Sequence, residues 1–191
     1  YLAAIHIERN RAGISFLDIS TGEFMVAEGS VDYIEKLANN FKPTEVLFNK
    51  PKYNLFSECF GNKFYTYGID EWVFNLDFGK EKIQKQFDIK SLKGFGIDKM
   101  NLATIAAGVI LHYLGETLNE RTAHIRGISR IEEDKYVWLD HFTIRSLELL
   151  NSDHPDAITL MDVIDKTITP MGGRMLRKWV LLPLKDIDGI E

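Results

Sequence analysis

The chain has 191 residues, 45% of them apolar and 27% charged, with a net charge of −5. Such a composition builds a globular core, offers no run of about 18 apolar residues to cross a bilayer, and argues against non-specific nucleic-acid binding, which phosphate neutralisation drives. The single cysteine, Cys59, rules out an internal disulfide framework and fits a reducing compartment.

Three β segments are expected first: Leu2 to Glu8, Ile14 to Ile19, and Glu23 to Ala27. The turn-rich connections Arg9-Asn10-Arg11-Ala12-Gly13 and Ser20-Thr21-Gly22 suit hairpins, so this part reads as an antiparallel meander. Ser30 then caps a helix whose apolar positions Val31, Ile34, Leu37, Ala38 and Phe41 recur three or four apart, and Lys42-Pro43 stops it. A short buried strand follows at Glu45 to Phe48, a helix at Asn54 to Phe60, and another strand at Phe64 to Tyr67. Asp77 to Phe87 reads as an exposed helix.

The strongest helix spans 101–118, capped by Asp98 or Asn101. Leu102, Ala106, Val109, Tyr113 and Leu114 form a stripe thickened by Ile105 and Ile110, which must be buried on at least one side. The order βββ-α-β-α-β-α implies a mixed sheet, the order of RNase H-like folds. Residues 119–134 break the periodicity with charge, and the module boundary is placed there: a first domain over 1–122, a linker over 123–134, and a mostly helical, incomplete part over 135–191. In that second part Tyr136 to Leu139 looks strand-like. Asp140 caps a helix through Leu150, Asn151 to Asp156 is a polar loop, Leu160 to Ile164 is helical, and Pro170 opens the last helix. The chain opens at Tyr1 inside a strand pattern and stops at Glu191 without a closing element, and is read as a segment of something longer.

The stretch TITPMGGRMLRKWVLLPL, residues 167–184, poses the main question. Glycines and an arginine at a helix mouth can cradle an anion on unpaired amides, but a P-loop needs GxxxxGK[ST] after a buried strand, and neither is present. A packing reading explains more of the residues. Thr169 is a good N-cap and Pro170 suits the first helical position. Met171, Met175, Trp179 and Val180 line one face, Arg174, Arg177 and Lys178 another, and Pro183 ends the helix. Gly172 and Gly173 each cost the helix about 1 kcal/mol against alanine, so another backbone is expected to pass too close for a Cβ.

These residues also carry a family resemblance. DKTITPMGGRMLRKWVLLPL, preceded by YVWLDHFTIRSLELL (136–150) and ITLMDVID (158–165), resembles the start of the core domain of MutS-type mismatch-repair proteins, and 1–120 then resembles their RNase H-like connector. The resemblance implies a bacterial cytosolic parent, a homodimer, which reads mismatched duplex DNA through a Phe-x-Glu motif in an N-terminal domain. ATP and magnesium belong to a C-terminal Walker-loop domain. It further implies that this stretch connects those parts and contributes to docking a MutL-like partner. No catalytic, cofactor-binding or metal residue follows for this chain. The residues singled out are a structural helix-start motif: Thr169, Pro170, Gly172, Gly173, Arg174, Trp179 and Pro183.

A second reading, a metal-dependent nuclease, is raised by the RNase H-like order. Two-metal cleavage needs three or four converging acids, one on the first strand. Strand one offers only Glu8, at its end, and strand two Asp18. His6, His112, His124, His141 and His154 are scattered, and Cys59 has no adjacent base, so each reads as a packed side chain. Arg121, Arg126 and Arg130 could touch DNA as a DNA-binding module. The flanking acids Glu120, Glu132, Glu133 and Asp134 favour an interdomain salt-bridge patch. Phe56, Phe60, Phe64, Tyr65 and Tyr67 read as core and edge packing rather than base stacking.

Overall fold

In a computed structural model, residues 1–117, 122–152, 154 and 156–190 are described. Their contacts form two compact units, one of residues 1–38 and 42–131, the other of 39–41 and 132–191.

The first unit is built on a six-stranded sheet ordered β5-β4-β1-β2-β3-β6. Strands β1 (Leu2–Glu8), β2 (Arg11–Asp18) and β3 (Glu23–Ser30) form the expected antiparallel meander. Arg9, at φ 54°, makes the first hairpin turn. Helix α1 (Val31–Phe41), capped by the Ser30 hydroxyl on the Tyr33 amide, leads to β4 (Glu45–Asn49), parallel to β1. Helix α2 (Tyr53–Phe60) leads to β5 (Thr66–Ile69), parallel to β4. The sequence placed β5 two residues early. Exposed Tyr65 and Tyr67 look like strand residues in one dimension, yet the ladder extends to Ile69.

Both faces of the sheet are buried, so β1 reads as a continuous apolar run. One face carries Leu2, Ala4, Leu17, Phe24, Val26 and Leu47 into a core with helices α3 (Leu76–Phe87) and α4 (Asn101–Thr117). On the other face Phe48 stacks on Phe56 of α2, and α1 contributes the fully buried Ile34, Leu37 and Ala38. Helix α4 is buried on every side from Leu102 to Leu111. Helix α3, expected to be exposed, keeps Asp77, Glu81 and Lys85 in water and buries one edge, Gly79 and Ile83, against α4. Gly79 on α3 meets Gly108 on α4 backbone to backbone, and a Cβ at Gly79 would stand 2.8 Å from the Thr104 carbonyl oxygen. Gly13 on β2 likewise touches the Leu102–Ala103 peptide.

Helix α4 has a start that the sequence reading missed. Neither Asp98 nor Asn101 provides the cap that is seen. Glu28 of β3 reaches across, and its Oε2 accepts from the Leu102 amide at 2.8 Å and the Ala103 amide at 3.2 Å. The other oxygen, Oε1, pairs with Arg11 at 3.3 Å. A carboxylate at a helix N-terminus satisfies orphan amides and opposes the macrodipole.

Residues 123–131, placed in the linker from sequence, belong to the first unit. Ser129–Arg130 form β6, parallel to Met25–Val26 of β3, and the Ile131 amide donates to the Val26 carbonyl at 2.8 Å. The segment's apolar anchors, Ile125, Ile128 and Ile131, are all buried. They are spaced three apart among charges, a pattern that belongs to neither an ideal strand nor a helix.

The second unit is helical: α5 (His141–Ser146), α6 (Leu160–Ile164), α7 (Pro170–Leu181) and α8 (Ile187–Ile190). Two expectations change here. Tyr136 to Leu139 is no strand; it makes one antiparallel bridge, Tyr136 with Leu184, and the Val137 amide donates to the Pro183 carbonyl. Helix α5 is capped by Asp140 as expected but ends at Ser146 rather than Leu150. Glu148 adopts φ 48°, its amide bonds the Arg145 carbonyl, and the Leu149 amide bonds the Ile144 carbonyl. That is a Schellman stop. Glutamate fills the left-handed position usually held by glycine, so the sequence carries no warning.

Candidate functional site

The helix-start motif assembles locally as the residue types dictate. The Thr169 hydroxyl accepts from the Gly172 amide at 3.1 Å, and Pro170 occupies the first helical turn. Below this mouth lies a smaller turn in which Asp165 Oδ1 accepts from both the amide and the hydroxyl of Thr167, at 2.9 and 2.7 Å. Those bonds hold the Asp165 carboxyl below the usual carboxylate range. A Cβ at Gly173 would lie 3.4 Å from the Thr167 hydroxyl and 3.6 Å from Asp165 Oδ2. The helix mouth thus already faces an anionic side chain, an arrangement that repels phosphate.

The expected main-chain contact at the glycines is absent among the described residues. A Cβ at Gly172 would meet Thr167 Cβ at 3.0 Å and Cγ2 at 3.2 Å, which are side-chain atoms. Close backbone approach occurs instead at Gly13, Gly79 and Gly108 in the first unit. Met171, Met175 and Trp179 share a face of α7, and each is more than half exposed; Ile168 just before it is 98% exposed. Pro183 follows the helix end and accepts from Val137, as above, while Arg174 is half-buried.

The carboxylates raised for metal-dependent cleavage do not converge. Asp18 is buried, and its Oδ1 is used by the Ser20 amide and hydroxyl at 2.9 and 2.6 Å, a strand-end turn. It borders an open cleft of about 440 Å³ with Glu45, whose Oε2 accepts from the Tyr113 hydroxyl. Glu8 lies instead beside Arg9 and Arg11 at another opening. No group of three His, Cys, Asp or Glu side chains able to hold a metal forms among the described residues. Two-metal chemistry requires more than this pair of acids.

The remaining candidates sit apart. His6 is buried in mid-strand, stacked on Phe74, and its Nδ1 has no hydrogen-bond partner. Burial, with help from Lys52, lowers its pKa to about 4 against an opposing pull from Glu8. His112 packs edge-on to Trp72 and Phe78, and burial lowers its pKa although Glu116 opposes the shift. Burial raises the Cys59 thiol, reinforced by Glu58 and Glu35, the reverse of a nucleophile's environment. His124 is bonded to the Ile19 carbonyl, and His154 lies in the loop before α6. The side chain of His141 lies outside the described residues, as do Glu120 and Arg121 of the basic stripe. Arg126 and Arg130 are exposed in the segment that carries β6, alongside exposed Glu133 and Asp134 and half-buried Glu132. Phe56-Ser57-Glu58 has the letters of a Phe-x-Glu motif, but Phe56 is 2% exposed between Phe48 and Phe60 and cannot leave the core to stack on a base.

Together these features define an RNase H-like α/β domain with no converging acidic centre among the described residues, continued into a helical segment. The chain matches the family model described as MutS domain II over residues 1–126 and the one described as MutS domain III over 142–191. Proteins named DNA mismatch repair protein MutS are similar throughout. That of Parabacteroides distasonis is 52% identical over 191 residues, all of this chain and 22% of that protein. Those of Christiangramia forsetii and Cytophaga hutchinsonii are each 50% identical over the same 191 residues and the same 22%. The chain therefore belongs to the MutS family, with its connector domain followed by the beginning of domain III, and spans about a fifth of the length of these curated relatives.

Proposed function

We propose that this stretch is the non-catalytic coupling segment of a DNA mismatch-repair protein. It joins parts of a longer protein that bind mismatched duplex DNA and hydrolyse ATP with magnesium, and it offers a docking surface to a MutL-like partner. The observation that supports this most is the consecutive match to two neighbouring MutS domains along one unbroken chain. The rigidity of the first unit, buried on both sheet faces, suits a lever that transmits orientation rather than a site that turns over substrate. The exposed Met171, Met175 and Trp179 face suits cover by other parts of the longer protein, and its glycine pair suits a close main-chain neighbour there. That protein would work in the bacterial cytosol as a homodimer, with no cofactor held by this segment. No helix among the described residues is long and apolar enough to cross a membrane.

The purified 191-residue chain tests the reading. Incubated with ATP and magnesium, or with duplex DNA and magnesium or manganese, it should turn over neither, and it should retain a MutL-like partner on a column. DNA cleavage that is lost in Asp18→Asn would overturn the proposal in favour of a nuclease.

A further inference from the structure

Segment 122–131 is tied to the first unit by contacts that neither motif nor family assignment explains. The Gln86 side chain on α3 is used at both ends. Its Nε2 donates to the Thr122 carbonyl at 2.9 Å and to the Ile125 carbonyl at 3.3 Å, while its Oε1 accepts from the Thr122 hydroxyl at 3.1 Å. Because carbonyls only accept, this network fixes which way the amide points. On the far side His124 Nε2 donates to the Ile19 carbonyl at 2.6 Å. Gly22, at φ 76°, leaves room there: a Cβ would stand 2.5 Å from the His124 carbonyl oxygen. Beyond these points Ile125 and Ile128 join the core, and β6 completes the sheet.

We infer that Gln86 is a latch. It fixes 122–131 as a strap across the first unit, so that the chain's later departure from that unit, after Ile131, starts from a defined place. The alternative is a loose exit in which the strap samples many positions and carries no orientation forward. Three facts favour the latch. The contacts reach the strap from three separate elements, the amide satisfies two carbonyls at once, and the glycine needed for close approach is present at Gly22. β6 has only two residues, and the burial of Ile125, Ile128 and Ile131 is non-directional, so the contacts of Gln86 and His124 supply the strap's direction. The latch's functional consequence rests on the coupling reading given above; its structural content does not.

Hydrogen–deuterium exchange on the full-length protein tests it, comparing wild type with Gln86→Leu, which keeps bulk and removes both donor and acceptor. Gln86→Glu is the second variant, since an ionised carboxylate cannot donate to the two carbonyls. The expected result is exchange at 123–131 faster by about 10-fold or more in both variants, with β1–β3 amides unchanged. Unchanged protection at 123–131 in both variants would overturn the latch, and so would acceleration spread equally over β1–β3. Mismatch-stimulated nucleotide exchange is read in parallel. If the strap opens and stimulation falls, latch and coupling stand together. If it opens and stimulation is unaffected, the latch stands and the coupling reading fails.

Discussion

Histidine 6 sets a pH dependence whose size follows from its position. It is 6% exposed in the middle of β1, lies against Phe74, and has an unpartnered Nδ1. Its pKa falls from 6.5 to about 4, chiefly through burial. Between those values the unfolded chain holds a proton that the folded chain does not. Stability is therefore full above pH 6.5 and is lost as pH falls toward 4. The gap corresponds to about 3 kcal/mol, a large part of the roughly 5–15 kcal/mol that holds a typical domain folded. His6→Phe keeps a ring against Phe74 and removes both the titration and the unpaired nitrogen. Urea unfolding of the two proteins, from about pH 7.5 to about 4.5, isolates the contribution because all other groups cancel in the difference. The variant should be at least as stable as wild type at neutral pH and gain on it steadily as pH drops. A difference that stays constant across the range would show that His6 is not the buried neutral base described here.

Other substitutions probe the remaining contacts. Glu28→Ala removes the acceptor of two α4 amides and the partner of Arg11, and should cost about 1–3 kcal/mol by chemical denaturation. Gly108→Ala drives a methyl into the Gly79 backbone and should cost at least about 2 kcal/mol, with thermal melting showing a drop of several degrees. Gly172→Ala meets the side chains of exposed Thr167 and Thr169 and no backbone, so in the 191-residue chain it should be near neutral in the same assay. In the full-length protein, where a main-chain neighbour is proposed at this turn, it should lower the melting temperature. Equal behaviour in both would remove the basis for that neighbour.

Much of the first unit was legible because its signals are local. The meander, the Ser30 cap, β4 and the apolar mass of α4 follow from alternation, three-to-four spacing and turn residues. What escaped depends on atoms far apart in the chain. Glu28 caps a helix that begins 73 residues later, and nothing near Asn101 announces it. Gly79 and Gly108 look like ordinary helix weaknesses until the two helices cross there, a contact that the exposed face of α3 does not announce. The strap fails both periodicity tests because its isoleucines answer to a surface already built by β3, α3 and α4. In the second unit the Schellman stop at Glu148 had no glycine to mark it. The helix start at Thr169 and Pro170 was legible because capping needs only neighbours in sequence.

The coupling role is tested most directly by lengthening the chain between the units. In the full-length protein a flexible glycine–serine insertion after Ile131 leaves the strap's own contacts in place and loosens the link that follows it. Mismatch binding and ATP binding should persist, while the stimulation of nucleotide exchange by mismatched over matched duplex should collapse. Full stimulation in the lengthened protein would contradict the account.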